Sequence, residues 1–368
     1  MNIYHIALSM ISGLGAKSIR QLVDIFPDVE ALFSMNDKQL REIFGRHEGV
    51  IQAFLSKESL SKAEKEAQMM ERYHIKPLFF TDPEYPTRLN NAGCEDTPVL
   101  LYCLGSCNLN AEHTVAFVGS RKCTDYGRTT TARLIQEFKG GNIVTISGLA
   151  YGIDTAAHAA SLDNQTPTIA VLGHGLDQIY PNQNRALSKR ILEMGGALLT
   201  EYHLYTAINP TYFPARNRII AALADATVVV EAAEKGGALI TANMANGYHR
   251  EVFAVPGRLD DPMSAGCNNL IASNKAGIVR NAGDIYYQMG WKNFFDKKRQ
   301  REEQQQLFAD LTENEQLLVN LLKENRELTL DDFCERSPLS MPKIASILTD
   351  LELKKVVRCL PGRIYKLC

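Results

Sequence analysis

The central part of the chain alternates short apolar runs with longer stretches of helical periodicity. Six such runs, TVAFV, IVTIS, TIAVL, ALLTE, TVVVE and VFAVP, lie between residue 114 and about residue 290. Nearly continuous apolar strands separated by helices are typical of a parallel sheet that helices cover on both faces. The pattern therefore predicts an α/β fold with a doubly wound, Rossmann-like parallel sheet as its core.

Different patterns flank this core. Residues 1–75 show helical periodicity in short segments, which predicts a small helical domain. The core is expected over 76–295 and includes a proline-punctuated approach segment at 76–113. A charged, glutamine-rich stretch at 296–309 is expected to be a linker or a solvated helix. Residues 310–368 have the pattern of a winged helix.

The winged-helix prediction rests on three helical segments followed by two short strands with a turn between them. In a duplex-binding domain of this kind, the third helix is expected to present several cations to the major groove. Here that helix offers Lys343 near its start, whereas the acidic Asp350 and Glu352 follow further on. This charge pattern argues against sequence-specific reading of a duplex, so a protein-interaction or accessory role stays open for this domain. A regulator that binds duplex DNA through the winged helix is kept as an alternative function.

The composition narrows the class of protein. Of the 368 residues, 45% are apolar and 22% are charged, as in globular proteins. The formal net charge is -2, so a nucleic-acid partner would need a local basic patch rather than a basic chain. No signal peptide or membrane-spanning apolar stretch is evident, and the cysteines lack a zinc-ligand spacing. We expect a cytoplasmic protein with reduced thiols, no metal and no membrane segment.

Glycine-rich turns follow four of the predicted strands. Ligands of doubly wound sheets bind beyond the carboxyl ends of the strands, so these turns are expected to share one edge of the sheet. Strand-to-helix turns and helix starts expose unpaired N–H groups that attract anions. The turn residues that we expect to bind a ligand are Gly119, Ser120, Arg121, Gly148, Gly175, Gly236 and Gly237.

The segment FPARNRII adds cationic and aromatic candidates to these turns. Arg216, Asn217 and Arg218 fall at the start of an apolar helix, and guanidinium groups pair with phosphate oxygens in bidentate geometry. Phe213 precedes them and is either a platform on which a base stacks or a core residue. Lys235 either adds a charge beside the last glycine pair or is a solvated surface lysine.

The chain lacks the usual catalytic fingerprints, since no P-loop, GxGxxG, GxSxG or HExxH motif is present. Asp154 and His158 lie at i, i+4 on one predicted helical face. They form either an acid–base pair or, as we favour, a helix-capping aspartate and a packed, hydrogen-bonded histidine. We therefore predict no catalytic residue and no cofactor. An enzyme of the nucleotide phosphoribohydrolase type is the alternative, with Glu201 or Glu231 as its catalytic carboxylate.

The chain resembles the bacterial DNA-processing protein A family (DprA, also called Smf) in motifs that occur in the family order. These are GSR, SGLAYGIDTAAH, GHGLDQIYP, FPARNRII, VVVEAAEKGGALITA, VFAVPG and GCNNLI. The resemblance implies a Rossmann-like core that binds single-stranded DNA rather than a dinucleotide. It further implies that the protein protects incoming strands, loads the recombinase RecA onto them during natural transformation, and forms a homodimer through the core.

On this resemblance, the strand-end turns form the DNA groove, in which Gly119, Ser120 and Arg121 hold one phosphate. Arg216 and Arg218 hold another phosphate together with helix N-termini.

Other features of the sequence bear on this resemblance. The N-terminal Gly13–Gly15 turn, with Lys17 nearby, resembles a helix–hairpin–helix or SAM-like element, for which phosphate binding and structural packing both stay open. Two positions depart from the family pattern. Tyr151 stands where many relatives carry arginine, so one candidate cation is missing there. Lys275 follows GCNNLI and is a candidate for the compensating charge.

Overall fold

The computed structural model describes residues 2–93, 96–291, 311–325, 327–354, 356–360 and 362–367. The chain divides into two compact units, residues 1–289 and residues 290–368. The predicted linker at 296–309 lies outside the described residues.

The first unit begins with six short helices, which confirms the helical N-terminal region. They are α1 Ile3–Ser9, α2 Ala16–Ile25, α3 Val29–Ser34, α4 Asp37–Phe44, α5 Glu48–Ser56 and α6 Glu58–Arg72. A capping box starts α4, in which the side chains and backbone N–H groups of Asn36 and Gln39 bond reciprocally. Buried residues of these helices share one hydrophobic cluster with Leu100 and Leu198 of the sheet. The helices and the α/β part therefore pack as one unit.

A sheet of nine strands in the described part of the chain forms the core of this unit. The strands are β1 Lys76–Phe79, β2 Leu100–Gly105, β3 His113–Val118, β4 Ile143–Ser147, β5 Thr168–Val171, β6 Ala197–Thr200, β7 Ala226–Val229, β8 Glu251–Ala254 and β9 Gly277–Ile278. Their order across the sheet is β1-β2-β6-β5-β4-β3-β7-β8-β9. In this order across the sheet, all strands from β6 at one end to β9 at the other run parallel to one another. The strands β1 and β2 complete the sheet beside β6 with antiparallel pairings.

The six strands predicted from apolar runs are β3 to β8, and the doubly wound core is confirmed. From the central β3 the chain builds β4, β5 and β6 to one side and then returns to place β7 against the other side of β3. Val115 of β3 pairs in register with Thr145 of β4 and Ala226 of β7. The reversal of direction creates a crevice beyond the carboxyl ends of β3 and β7, the point at which such sheets bind ligands.

The approach segment at 76–113 differs from the expectation, because it contributes two strands to the sheet. The sequence did not predict these two strands, because the prolines of this segment are typical of loops. Pro77 lies in β1, the edge strand, where a missing N–H breaks no ladder bond. Phe79, also in β1, donates its N–H to the Asp82 carboxylate at 2.8 Å.

Helices cover both faces of the sheet. They are α7 Thr87–Asn90, α8 Asp125–Glu137, α9 Ile153–Asp163, α10 Arg185–Glu193, α11 Tyr212–Leu223, α12 Gly237–Gly247, α13 Ala265–Ala272 and α14 Ala282–Gln288, with a short 3-10 helix at Asn182–Asn184. Helix α9 contacts both α8 and α10, and α11 packs against α12. Within the described residues, no helix is long and apolar enough to cross a membrane.

The second unit has the arrangement of a winged helix, as the sequence predicted. Its elements are α15 Glu313–Asn325, β10 Glu327–Thr329, α16 Leu330–Arg336, α17 Met341–Leu353, β11 Val357–Leu360 and β12 Ile364–Leu367. The three strands form an antiparallel sheet in the order β10-β12-β11. Leu318, Leu322, Phe333 and Leu348 are fully buried in its core.

Candidate nucleic-acid interface

A cavity of about 230 Å³ opens at the crevice between the carboxyl ends of β3 and β7. The sequence-predicted site residues that line it are Gly119, Ser120, Arg121, Arg216, Asn217, Lys235, Gly236 and Gly237. They come from three separate segments of the chain, at 119–121, 216–217 and 235–237. The structure thus brings the turns after β3 and β7 together with the start of α11.

The turn after β3 forms one wall of the cavity and is anchored on two sides. Ser120 donates its N–H to the carbonyl of Glu231 at 2.8 Å, and its own carbonyl accepts the N–H of Ile153 at 3.2 Å. A side chain at Gly119 would place its Cβ 2.4 Å from the side chain of Ile153. Position 119 therefore needs glycine for close packing on α9, which orients the Ser120 and Arg121 side chains at the cavity.

Arg121 and Phe213 meet at this wall. The guanidinium carbon of Arg121 lies 5.9 Å from the centroid of the Phe213 ring, within the range of a cation–π contact. The Phe213 ring also lies 5.4 Å from that of Tyr180, inclined at 36°. Phe213 is half-buried and Tyr180 is exposed. An aromatic surface thus lies directly beside a cation, the combination that single-stranded nucleic acids use for bases and phosphates.

Arg216 lies in the floor of the cavity and is only 4% exposed. Its Nη1 donates to the carbonyl of Gly148 at 2.6 Å and to the carbonyl of Val171, and its Nε donates to Asn217 Oδ1 at 3.2 Å. Burial lowers the pKa of Arg216 to about 10, against the attraction of Asp154. Arg216 therefore stays charged at neutral pH and links the ends of β4 and β5 beneath the cavity.

Asp154 also lines the cavity, although the sequence predicted it as the cap of α9. The N-cap of α9 is Gly152, so the prediction of Asp154 as the helix cap is wrong. Its Oδ2 instead accepts the N–H groups of Gly148 and Ala150 at 3.1 and 3.3 Å and so closes the turn after β4. Burial raises the pKa of Asp154, while Arg216 and these N–H bonds oppose the rise. The buried cation and carboxylate partly neutralise each other.

His158 is fully buried and does not belong to the cavity lining. Its Nδ1 lies 2.8 Å from Thr168 Oγ1, and burial lowers the pKa of His158 to about 3. The packed, hydrogen-bonded interpretation of this histidine is therefore confirmed. An acid–base role with Asp154 would require His158 to reach the cavity.

The turn after β7 forms the opposite wall. Gly236 is the N-cap of α12, which begins at Gly237. Because Gly236 has no side chain, it leaves the first N–H groups of α12 open towards the cavity, and the helix dipole favours an anion there. The adjacent Lys235 is exposed. This wall thus adds an exposed cation and the partial positive charge of a helix N-terminus to the cavity.

Four residues of the predicted groove lie outside this lining, and one of them, Phe213, adjoins it only through its contact with Arg121. Gly148 supports the Arg216 guanidinium from below. Gly175 lies beside Asp177 and the carbonyl of His203 instead. Arg218 forms a bidentate pair with Glu201, both N···O distances being 2.6 Å, and donates to the carbonyl of Asp96 at 3.0 Å.

The two carboxylates of the enzyme alternative are held by other groups. Glu201 pairs with Arg218, as described above. Glu231 is 1% exposed and accepts the N–H of Thr124 at 2.8 Å together with the Thr124 hydroxyl proton. It thereby anchors the start of α8 rather than facing the cavity. Neither carboxylate belongs to the cavity lining, which weakens the hydrolase alternative, and no metal-ligating cluster occurs among the described residues.

The two departures from the family pattern also lie outside the lining. Tyr151 is exposed, and its hydroxyl donates to Gln183 Oε1. Lys275 accepts a bond from Asn246 Nδ2 at its carbonyl, at 2.9 Å. Its expected role as a compensating charge stays a prediction.

Comparisons with known proteins agree on one family. The family model of DNA recombination-mediator protein A matches residues 76–290, and the model of the DprA winged helix domain matches residues 302–363. The DNA processing protein DprA of Streptococcus pneumoniae is 37% identical over 266 residues, which are 68% of this chain and 93% of that protein. The putative DNA processing protein DprA of Mycobacterium tuberculosis is 30% identical over 367 residues, or 97% of this chain and 92% of that protein.

Solved structures give the same result. The X-ray structure of DNA processing protein A from Streptococcus pneumoniae superposes with a TM-score of 0.67 at 33% identity, covering 78% of this chain and 98% of that one. A structure of DNA processing protein A from Helicobacter pylori, described for its single-stranded DNA binding mode, has a TM-score of 0.53 at 28% identity. It covers 59% of this chain and 96% of the Helicobacter chain. The chain therefore belongs to the DNA recombination-mediator protein A family, whose relatives are named DNA processing protein DprA or Smf.

Proposed function

We propose that this protein binds single-stranded DNA at the crevice between β3 and β7. The observation that carries the proposal is the contact of Arg121 with Phe213 at the rim of an anion-receptive cavity. A phosphate enters between Arg121, Lys235 and the first N–H groups of α12, and a neighbouring base stacks on Phe213. The single-stranded DNA binding described for the Helicobacter pylori relative supports single-stranded DNA as the ligand.

The roles of the individual groups follow from their burial. Arg121 and Lys235 have exposed side chains and supply the charge that meets phosphate directly. Arg216 is buried on carbonyl groups, so it contributes a fixed positive field from below and shapes the floor. Gly175 and Arg218 remain predicted DNA contacts, and they would meet the strand only beyond the cavity.

The test is fluorescence anisotropy of labelled oligo-dT and of a matched duplex over a salt series, with Arg121→Ala and Lys235→Ala beside the wild type. Each lost phosphate contact should flatten the slope of log affinity against log salt concentration by about 0.7. The matched control is Arg46→Ala, since Arg46 is an exposed arginine in the turn between α4 and α5. Unchanged affinity and slope in both site variants would refute the crevice as the DNA site.

We further propose that the bound strand is protected and passed to RecA. A binder that holds phosphates and stacks bases without base-edge hydrogen bonds tolerates any sequence, as a loading factor requires. The assay measures how fast RecA filaments form on oligo-dT that is covered by a single-strand-binding protein, with RecA-dependent ATP hydrolysis as the readout. The wild-type protein should accelerate filament formation, and Arg121→Ala should not. Acceleration by both proteins alike would separate loading from the crevice.

A homodimer through the α/β core completes the proposal. Two crevices on one dimer would hold one strand at two points and raise its apparent affinity through the high effective concentration of the second site. Sedimentation equilibrium over a concentration series measures the state of association. A monomer at all concentrations would exclude this part of the proposal and leave the crevice itself unaffected.

A further inference from the structure

A second concave surface, a groove of about 670 Å³, lies between the Met10–Leu14 turn, α6 and the loop after β6. It shares no lining residue with the DNA cavity. Its apolar lining comes from Met10, Ile11, Leu14, Met69 and Leu204. The turn that the sequence suggested as a phosphate-binding hairpin thus contributes mostly aliphatic surface here.

Tyr205 forms one side of the groove in an unusual backbone conformation. Its side chain is 66% exposed, and its φ of 62° lies in the left-handed region, which disfavours bulky residues. The loop is held in this shape by the Tyr205 N–H bond to Asp177 Oδ1, 2.9 Å, and the Leu204 N–H bond to Glu66 Oε1, 3.0 Å. Strain retained at an exposed aromatic residue is typical of a contact site.

The rim of the groove is cationic. Lys62 and Lys65 of α6 are both exposed lining residues, and Lys62 lies 2.7 Å from Glu58 on its own helix. The carboxylate in the lining, Glu66, is buried and occupied by the Leu204 N–H and by His203, whose Nδ1 is 3.2 Å away. The Lys62–Glu58 pair is solvent-exposed and therefore weak, and Glu58 is not a lining residue, so Lys62 and Lys65 are the charges that face a ligand in the groove.

We infer that this groove binds a short acidic protein segment that carries one or two apolar side chains. Acidic residues of the segment meet Lys62 and Lys65, and its apolar anchor enters between Met69 and Tyr205. Methionine side chains adapt to anchors of different shape, as in other peptide-binding surfaces. Single-stranded DNA fits less well, because the floor is aliphatic and Tyr205 is the one aromatic side chain in the lining.

The probe is a fluorescein-labelled, aspartate-rich peptide with one leucine and one phenylalanine, titrated with the full chain by fluorescence anisotropy. Two companion peptides replace the apolar pair by serine, or the aspartates by lysine. Only the first peptide should bind saturably. The double substitution Lys62→Glu/Lys65→Glu should weaken it about tenfold, whereas Lys38→Glu/Lys139→Glu, the same charge change at exposed lysines outside the groove, should not. Equal loss in both double variants, or equal binding of the serine peptide, would overturn the proposal.

Tyr205→Gly separates contact from folding. Glycine accepts a positive φ without strain, so this variant should melt at an unchanged or higher temperature and yet bind the peptide at least several-fold more weakly. Retained peptide binding would count against the groove. Competition by unlabelled oligo-dT provides the other decisive result. If oligo-dT displaces the peptide and Lys62→Glu/Lys65→Glu weakens both ligands equally, the groove belongs to the DNA path and the peptide assignment is wrong.

Discussion

The guanidinium group of Arg216 lies against the backbone of Gly148, where Nη1 donates to the glycine carbonyl at 2.6 Å. A methyl group at position 148 would come within 2.5 Å of Nη2. A buried cation is tolerated only when its protons are bonded and its charge is paired. Both needs are met, by the carbonyls of Gly148 and Val171 and by the Asp154 carboxylate. Arg216 can therefore form the cavity floor only because residue 148 has no side chain.

Gly148→Ala should therefore displace Arg216 and cost roughly 1–3 kcal/mol of unfolding free energy, as overpacking does. Affinity for oligo-dT should fall with it, because the floor between β4 and β5 is rebuilt. Chemical denaturation and anisotropy measure the two effects. The control is Gly247→Ala at the end of α12, where an added methyl group meets no atom within 4 Å. That variant should be neutral or slightly stabilised, and an equal loss in both would refute the steric explanation.

Phe213→Ala should weaken oligo-dT binding by roughly 1–3 kcal/mol, the value of one stacked base, without changing the salt slope. The slope counts phosphate contacts, and Phe213 makes none. Phe213→Tyr should retain most of the affinity, since it keeps the ring beside Arg121 and Tyr180. A core role predicts a different result, in which Phe213→Ala lowers Tm strongly and affinity falls only as far as the fold is lost.

His158 should make stability depend on pH in the acidic range. Burial lowers the pKa of His158 from its ordinary 6.5 to about 3, with a smaller effect from Arg216. Between these values the unfolded chain binds a proton that the folded chain does not, so the stabilisation is complete above pH 6.5 and is lost as the pH falls towards 3.

Urea titrations at a series of pH values test this dependence. His158→Gln should remove up to about 1.4 kcal/mol per pH unit from the slope of unfolding free energy. The matched control is His47→Gln, the same substitution at an exposed histidine. An unaltered slope in His158→Gln would mean that the buried imidazole is protonated in the folded state.

Removal of residues 290–368 should leave oligo-dT binding largely intact. Every residue that lines the crevice belongs to the first compact unit. Anisotropy with oligo-dT and with a duplex, on the truncated and full chains, measures the contribution of the winged helix. Loss of all DNA binding on truncation would favour the alternative of a duplex-binding regulator.

Local pattern accounted for much of the fold and for part of the site. The strands β3 to β8 are short apolar runs, and burial on both faces of a parallel sheet requires such runs, so they could be predicted. The strands β1 and β2 were not predicted, because prolines are typical of loops and yet are also tolerated at the edge of a sheet.

The arginines of FPARNRII show the limit of local pattern at the site. Arg216 and Arg218 have the same charge and are two positions apart, yet one is buried on carbonyls and the other pairs with Glu201. No local pattern distinguishes two such cations, because the difference depends on what the strands bring against each.

The sequence by itself determined the doubly wound core, the winged helix and the glycine-rich turns that meet at one sheet edge, since periodicity and turn chemistry act between neighbours in the chain. Only the tertiary structure decided that Arg121 lies over Phe213, that Asp154 closes a turn instead of capping a helix, and that the Gly13–Gly15 turn adjoins an apolar groove. These relationships join residues that are remote in sequence. They are set by packing and desolvation, which act through space rather than along the chain.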